Sequence, residues 1–313
     1  MSVSVSCHEK VFIGGLNQWI SIRGNPKNDI CLFLHGGPGM PDMPLIHFYC
    51  SQLENDFLLI NWDQRGAGKS YSPFIQKRTM TLNQFIQDGS ELINYLLKKF
   101  LKQRLHLIGH SWGSALGLLI VQKHPNLLLS YTGIGQVGDW AKGEQVSYQY
   151  TLDHAIAAKN KMAVKALKRI GPPPHTWKAL IQQRRLLLKF NGATYGRKNY
   201  NHLIPKYIFS KEYSLVDLIK FLLGLRFSLK HLWSEITQIN LCLEVPEVKI
   251  PIHFMLGRHD YQVPFECSIQ YYDLLKAPSK TISWFDKSGH TPMYEEPEVF
   301  VRELTNYLKK IAK

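Results

Sequence analysis

Apolar residues follow two different rhythms along this chain of 313 residues. In residues 1–135, and again in 246–313, short unbroken apolar runs alternate with longer stretches whose apolar positions recur every three or four residues. ICLFL at 30–34 and FLLIN at 57–61 are too short for helices and end in turn residues, so each reads as a buried strand. Residues 10–22 read as a strand pair turned at Gly14-Gly15. Thr81 with Gln84 three residues later has the form of a capping box. It opens a helix to about Phe100 that carries Phe85, Leu92, Ile93, Leu96 and Leu97 on one face. A strand at 105–108, a helix at 112–123 and a strand at 127–134 complete this half. The C-terminal part resumes with a strand at 250–256, a helix at 264–275, a strand at 280–285 and a helix at 297–310 that has Pro in its first turn. Strands separated by helices predict an α/β fold with a doubly wound, mostly parallel sheet.

Residues 136–245 break the alternation. They are helix-rich, basic and aromatic, interrupted at Pro172-Pro173-Pro174 and near Gly192. An all-helical segment between two α/β halves predicts a cap, which divides the chain into a first core half (1–135), a cap (136–245) and a second core half (246–313). Inside the cap, LVDLIKFLLGL at 215–225 could bind an acyl chain or face lipid, and the expectation is a cap helix packed on the core.

The chemistry begins with Gly109-His110-Ser111-Trp112-Gly113, which fits G-x-S-x-G between the strand at 105–108 and the helix that follows. In the nucleophile elbow of α/β-hydrolases, small residues on both sides of the Ser let strand and helix approach closely. Ser111 is therefore the expected nucleophile, with capping of the helix by its hydroxyl as the structural alternative. A Ser hydroxyl needs a base, and in this fold the chain order is Ser, then Asp or Glu, then His. Asp260 lies just past the strand at 250–256, and His290 follows the strand at 280–285 in the equivalent loop. Both are placed at the carboxyl ends of strands, where doubly wound sheets bind ligands. The other histidines read as packed or surface residues. The oxyanion donors are expected to be the backbone N–H groups of Trp112 and of Gly37 in HGGPG, since Pro38 has none. DQRGAGKS at 63–70 lacks the first glycine of a phosphate loop and reads as a structural loop, with Asp63 and Arg65 paired.

HGGPG at 35–39, DQRGAGKS at 63–70, GHSWGS at 109–114, GRHD at 257–260 and SGHTP at 288–292 together resemble the prolyl iminopeptidase family of α/β-hydrolases. The resemblance covers both core halves and is weak in the cap. It implies a cytoplasmic aminopeptidase that releases an N-terminal residue, typically proline, without metal or other cofactor. It also implies that carboxylates around the cap and triad bind the substrate amine. Glu144, Glu212 and Glu235 are candidates for that role, together with Asp139. Two positions depart from the pattern: His110 stands where those peptidases carry Gly, and Tyr261 follows Asp260 where one branch carries Glu.

Composition narrows the remaining classes. Hydrophobic residues make up 45% and charged residues 20%, as in an ordinary globular protein, and no run of 18 apolar residues predicts a membrane span. The N-terminus shows no signal-peptide pattern, and five scattered cysteines suit a reducing compartment, so a cytoplasmic location is expected. The net charge of +14 is concentrated, with 13 Lys/Arg and no Asp or Glu in residues 154–211. No nucleic-acid motif accompanies the run, so nucleic acid is not expected as a partner, whereas contact of the basic cap with a membrane surface stays open. The expected partner is a small-molecule or short-peptide substrate. A carboxylesterase or lipase-like enzyme is the alternative, and a catalytically silent binding protein on the same fold is the third class. Epoxide hydrolase and dehalogenase chemistry is disfavoured because its nucleophile at this elbow is Asp.

Overall fold

The computed structural model of the chain describes residues 4–311. Eight strands form one sheet: β1 (Val5–Ile13), β2 (Leu16–Gly24), β3 (Ile30–Leu34), β4 (Leu58–Asp63), β5 (Leu105–His110), β6 (Leu128–Ile134), β7 (Ile252–Gly257) and β8 (Lys280–Phe285). Their spatial order is β1-β2-β4-β3-β5-β6-β7-β8. The strands β1, β2 and β4 pair antiparallel, and every pairing from β4 through β3 to β8 is parallel. The turn at Gly14-Gly15 joins β1 and β2, as the sequence pattern predicts.

Strand β3 is buried at all five positions, because helices cover both faces of a parallel sheet and leave no side for water. Its residues alternate between two cores. Leu32 and Leu34 pack with Phe85, Leu92 and Leu116 on one face, and Cys31 and Phe33 pack with Leu45, Phe300 and Leu304 on the other. Each such leucine contributes about 1.5–3 kcal/mol through burial. The helix Leu82–Lys99 starts with the Thr81 side chain accepting the Gln84 N–H, and it ends on Lys98 and Lys99, whose charges suit the negative end of the helix dipole.

Register decides where the loops emerge. Leu34 of β3 lies opposite Trp62 of β4 on one side and Gly109 of β5 on the other. Ile134 pairs with Met255, and Gly257 with Phe285. The loops after β3, β4, β5, β7 and β8 therefore leave along one rim of the sheet.

Between β6 and β7 the chain forms helices, among them Trp140–Ala157, Lys161–Ile170, Trp177–Lys189 and Leu215–Ile236. Each starts on a side chain that accepts a backbone N–H: Asp139, Asn160, Thr176 and Ser214 respectively. The apolar segment 215–225 packs on the core as expected along one side, where Gly224 abuts Gly66 and Leu225 abuts Gly39, and its other side is open. Leu215, Val216, Ile219, Leu222 and Leu223 are exposed, whereas Leu218, Phe221 and Leu225 face a cavity over the sheet rim. A short helix at Met43–Cys50 that periodicity did not predict sits on the sheet near Pro297–Ile311.

Candidate active site

The turn from β5 into the helix Trp112–Lys123 is held by close backbone packing. A Cβ on Gly113 would lie 2.1 Å from the Leu34 carbonyl oxygen, and one on Gly109 would lie 2.3 Å from that of Gly113. Only glycine fits either place. Ser111 between them adopts φ 55°, a left-handed conformation rare for a residue with a side chain. It stands at the N-cap position, yet its hydroxyl makes no capping hydrogen bond and instead lines the cavity. The strain at Ser111 thus presents Oγ toward the cavity.

His290, in the loop after β8, lines the same cavity, and Asp260, in the loop after β7, is buried against its ring. His290 Nδ1 lies 2.8 Å from Asp260 Oδ2, and both side chains are buried. The other Asp260 oxygen accepts the N–H groups of Gln262 and Val263, each at 2.9 Å, so the carboxylate is fixed from both sides. That pairing puts the ring proton on Nδ1 and leaves Nε2 as the basic nitrogen. Nε2 is buried and has no hydrogen-bond partner among the described residues, and His290 lines the cavity together with Ser111. The Glu295 carboxylate clamps the His290 loop, accepting the N–H groups of Gly289 at 3.1 Å and Thr291 at 3.3 Å.

His110 packs its ring 4.7 Å from that of His290, and its Nε2 donates to the His290 carbonyl oxygen at 2.9 Å. Burial holds its pKa well below the usual histidine value, and the neighbouring His290 lowers it further, so His110 is neutral. His110 thereby ties the nucleophile turn to the base loop.

The HGGPG loop is braced by DQRG. Gln64 Nε2 donates to the His35 carbonyl oxygen at 3.0 Å, the Gln64 N–H donates to His35 Nε2 at 3.2 Å, and Trp112 Nε1 donates to Gln64 Oε1 at 2.9 Å. Burial lowers the His35 pKa to about 4, which keeps it neutral and able to accept. One glutamine therefore joins the loop holding Gly37 to the residue after Ser111. Gly37 has φ +120°, a conformation that favours glycine, and its N–H has no partner among the described residues. The N–H of Trp112, in the first turn of its helix, has no intrahelical acceptor.

The expected Asp63–Arg65 pair does not form. Arg65 turns toward the helix Leu82–Lys99, where Nε and one terminal nitrogen each donate to Asp88 at 2.8 Å, and it also donates to the Gly14 carbonyl oxygen at 2.7 Å. Asp63 instead accepts the Lys69 N–H and the Tyr213 hydroxyl, each at 2.7 Å. β4 ends at Asp63 and Arg65 lies in the turn beyond it, where the strand's two-residue periodicity no longer applies, so the two charges need not share a face.

The cavity encloses about 670 Å³ between the sheet rim and the cap. Its walls are mostly apolar, including Trp140, Leu180, Phe221 and Leu229. Of the acidic candidates, Glu144 lines it, and one of its oxygens pairs with Arg184 while Oε2 is buried without a partner. Asp139 lines it too, but its carboxylate caps a helix and accepts from Asn240. Glu212 and Glu235 do not line it. Glu212 is buried against Arg23 and His8 at the edge of the sheet, and Glu235 is exposed at the far end of its helix.

The sequence reading missed Asp42. It lines the cavity, is 9% exposed, and sits at the N-cap of Met43–Cys50 without making a capping bond. Its side-chain donor is the Tyr294 hydroxyl at 3.3 Å, and no cation pairs with it among the described residues. Burial pushes its pKa up to about 7. Its place five residues after HGG was a usable signal, but only an unformed cap distinguishes it from an ordinary helix start. No three His, Cys, Asp or Glu side chains among the described residues gather so as to hold a metal ion.

Residues 30–215 match the family described as the alpha/beta hydrolase fold. The chain is 38% identical over 313 residues to "Probable aminopeptidase YbaC" of Bacillus subtilis (strain 168), covering 98% of this chain and 97% of that protein. It is 23% identical over 296 residues to "Proline iminopeptidase" of Heyndrickxia coagulans, covering 90% of each. The crystal structure of a proline iminopeptidase from Mycobacterium smegmatis shares the fold with a TM-score of 0.67 at 17% identity, over 99% of this chain and 98% of that one. With a matching family across more than half its length and a full-length relative, the chain belongs to the alpha/beta hydrolase fold family and is a hydrolase.

Proposed function

We propose that the protein is a serine hydrolase of the prolyl iminopeptidase type, which cleaves an amide or short peptide bearing a free N-terminus. The observation that carries the reading is the buried His290–Asp260 pair at 2.8 Å with His290 Nε2 left free on the wall it shares with Ser111. The similarity to a named aminopeptidase over nearly the whole chain supports the choice of substrate class.

In this reading the Ser111 hydroxyl attacks the scissile carbonyl carbon as its proton passes to His290 Nε2. Asp260 stabilises the imidazolium and holds its orientation. The carbonyl oxygen becomes an oxyanion facing the N–H groups of Gly37 and Trp112, where each donor is worth about 10²–10³ in rate. His290 then gives its proton to the leaving amine, the C–N bond breaks, and an acyl enzyme remains on Ser111. Water, deprotonated by His290, attacks that ester, and collapse returns the proton to Ser111. The substrate ammonium would be met by Asp42 or by the unpaired oxygen of Glu144, carboxylate oxygens on the cavity wall that pair with no cation among the described residues.

A second reading, an acyl-ester hydrolase, is favoured by the apolar walls, which suit an acyl chain as well as a proline ring. A substrate panel separates the two: proline β-naphthylamide with other aminoacyl amides, against p-nitrophenyl esters of rising chain length, with Ser111→Ala as the control. Turnover of aminoacyl amides supports the first reading. Ester turnover rising with chain length, with no amide cleavage, would replace it with the second.

A further inference from the structure

The outer side of the cap, at the cavity mouth, combines two features that solvated surfaces rarely hold together. Along the helix Leu215–Ile236, exposed Leu215, Ile219, Leu222 and Leu223 follow i, i+4, i+7, i+8 spacing, so they form one stripe, with exposed Val216 beside it. The short helix Ile204–Ile208 lies against this helix through Tyr207 and Phe221, whose ring centroids are 5.2 Å apart. It adds exposed Ile204 and Ile208, followed by Phe209, which is 84% exposed. Ile204, Ile208 and Leu222 also line the cavity, so the stripe borders its opening. An apolar patch of this extent on a protein surface marks a contact site.

The exposed charges on the segment that carries the stripe are of one sign as far as Glu235, near the end of the helix. Residues 191–234 contain seven Lys/Arg and two acids, Glu212 and Asp217. Both acids are buried and paired, Glu212 with Arg23 and Asp217 with Lys69 at 2.8 Å, so neither offsets the exposed cations. Lys211 is exposed just before the stripe, Lys220 lies within it, and Lys206 sits 3.8 Å over the ring of exposed Phe48. A second copy of the chain would bring like charges together across this face. An anionic leaflet complements it: apolar side chains enter the headgroup boundary while lysines meet the lipid phosphates.

We propose that this face docks peripherally on an anionic lipid bilayer, setting the cavity mouth at the membrane surface. No helix among the described residues is long and apolar enough to cross a membrane, so the contact is interfacial. The proposal is independent of which bond the site cleaves. A lysine or arginine near an anionic leaflet strengthens binding by about fivefold, and the stripe adds an apolar term that salt does not screen.

The test is flotation of the full chain with phosphatidylcholine vesicles, with and without phosphatidylglycerol. The wild type should float with the anionic vesicles at low salt and stay behind with the neutral ones. Ile219→Asp with Leu223→Asp, and separately Lys211→Glu with Lys220→Glu, should each cut partitioning by about tenfold or more, with circular dichroism and melting like the wild type's. None of the four residues lines the cavity, and the charge pair leaves the stripe intact in case the apolar pair misfolds. Wild-type protein that ignores anionic vesicles, or charge-reversed protein that binds them as well as the wild type, overturns the proposal. So does a dimer in solution that Ile219→Asp with Leu223→Asp converts to monomer while no vesicle binding is seen, since the face would then join two copies.

Discussion

His290 Nδ1 and Asp260 Oδ2 stand 2.8 Å apart in a pocket closed to solvent, although 30 residues separate them in the chain. In such a place a carboxylate fixes one tautomer of the ring. Asp260→Asn can still accept or donate at that distance, so the fold should survive while the wrong nitrogen of His290 becomes basic. The expected loss in kcat is about 10⁴-fold, measured on whichever substrate the panel identifies. Ser111→Ala should lose activity by several orders of magnitude and also lose labelling by a fluorophosphonate probe. A change under tenfold in either variant would assign the chemistry to other residues.

Asp42 gives a prediction with a sign. Its pKa is raised to about 7 in the folded protein by burial without a cation. Asp63 is raised to about 7 by burial as well, and Tyr207, Tyr294 and Cys50, whose own pKa values Asp42 raises, offer no positive charge. Between about pH 4, where an unfolded Asp ionises, and pH 7 the native state keeps a proton on Asp42 that the unfolded chain releases, so the contribution of Asp42 to stability falls as pH rises through that window, opposite in sign to that of buried His35, His106 and His253. Asp42→Asn removes the cost of the buried charge. It should raise the melting temperature relative to the wild type at pH 8, by the equivalent of a few kcal/mol, and the gain should vanish at pH 4. Asp63 and Glu295, both raised by burial, keep their own share of such a fall in the variant.

The same residue can be read through substrate. If Asp42 meets the substrate ammonium, KM for an aminoacyl amide should drop as pH rises toward 8 and the carboxylate ionises, while KM for a neutral ester stays level. Asp42→Asn should flatten the amide profile. Glu144→Gln keeps its shape but frees Arg184, and an unchanged KM in that variant alongside a raised one in Asp42→Asn would locate the amine at Asp42.

Gly113 leaves no space for a methyl group, since a Cβ would lie 2.1 Å from the Leu34 carbonyl oxygen. Gly113→Ala must push the helix away from β3 and carry Ser111 with it. We expect a stability loss of about 1–3 kcal/mol from overpacking, read as a lower denaturation midpoint, and about 10²-fold slower turnover from a displacement of about 1 Å. Wild-type turnover in this variant would mean that the elbow tolerates more movement than its packing implies.

Arg65 and Asp88 form an ion pair with side chains 1% and 0% exposed. Arg65→Met leaves Asp88 buried with Gln18 and Gln84 as donors and no cation. Removing one member of a buried pair costs about 3–5 kcal/mol, which chemical denaturation can measure. The double variant Arg65→Met with Asp88→Leu should recover much of that loss, because the penalty lies in the stranded charge.

The amino-acid sequence determined what short-range physics controls. Strand β3 reads as ICLFL, the helix at Leu82–Lys99 shows its start at Thr81, and Ser111, Asp260 and His290 stand each in a turn after a strand. Those features depend on residues a few positions apart, whose steric and hydrogen-bonding preferences act without the rest of the chain. Tertiary structure decided the pairings across long separations. It took Arg65 to Asp88, kept Glu144 in the cavity while sending Glu212 to Arg23, left Asp42 uncapped and uncompensated, and turned one side of 215–225 to solvent. Charge and burial at such positions depend on which elements the fold brings beside them, and an apolar helix carries no mark in its own sequence of whether its neighbour will be protein, substrate or water.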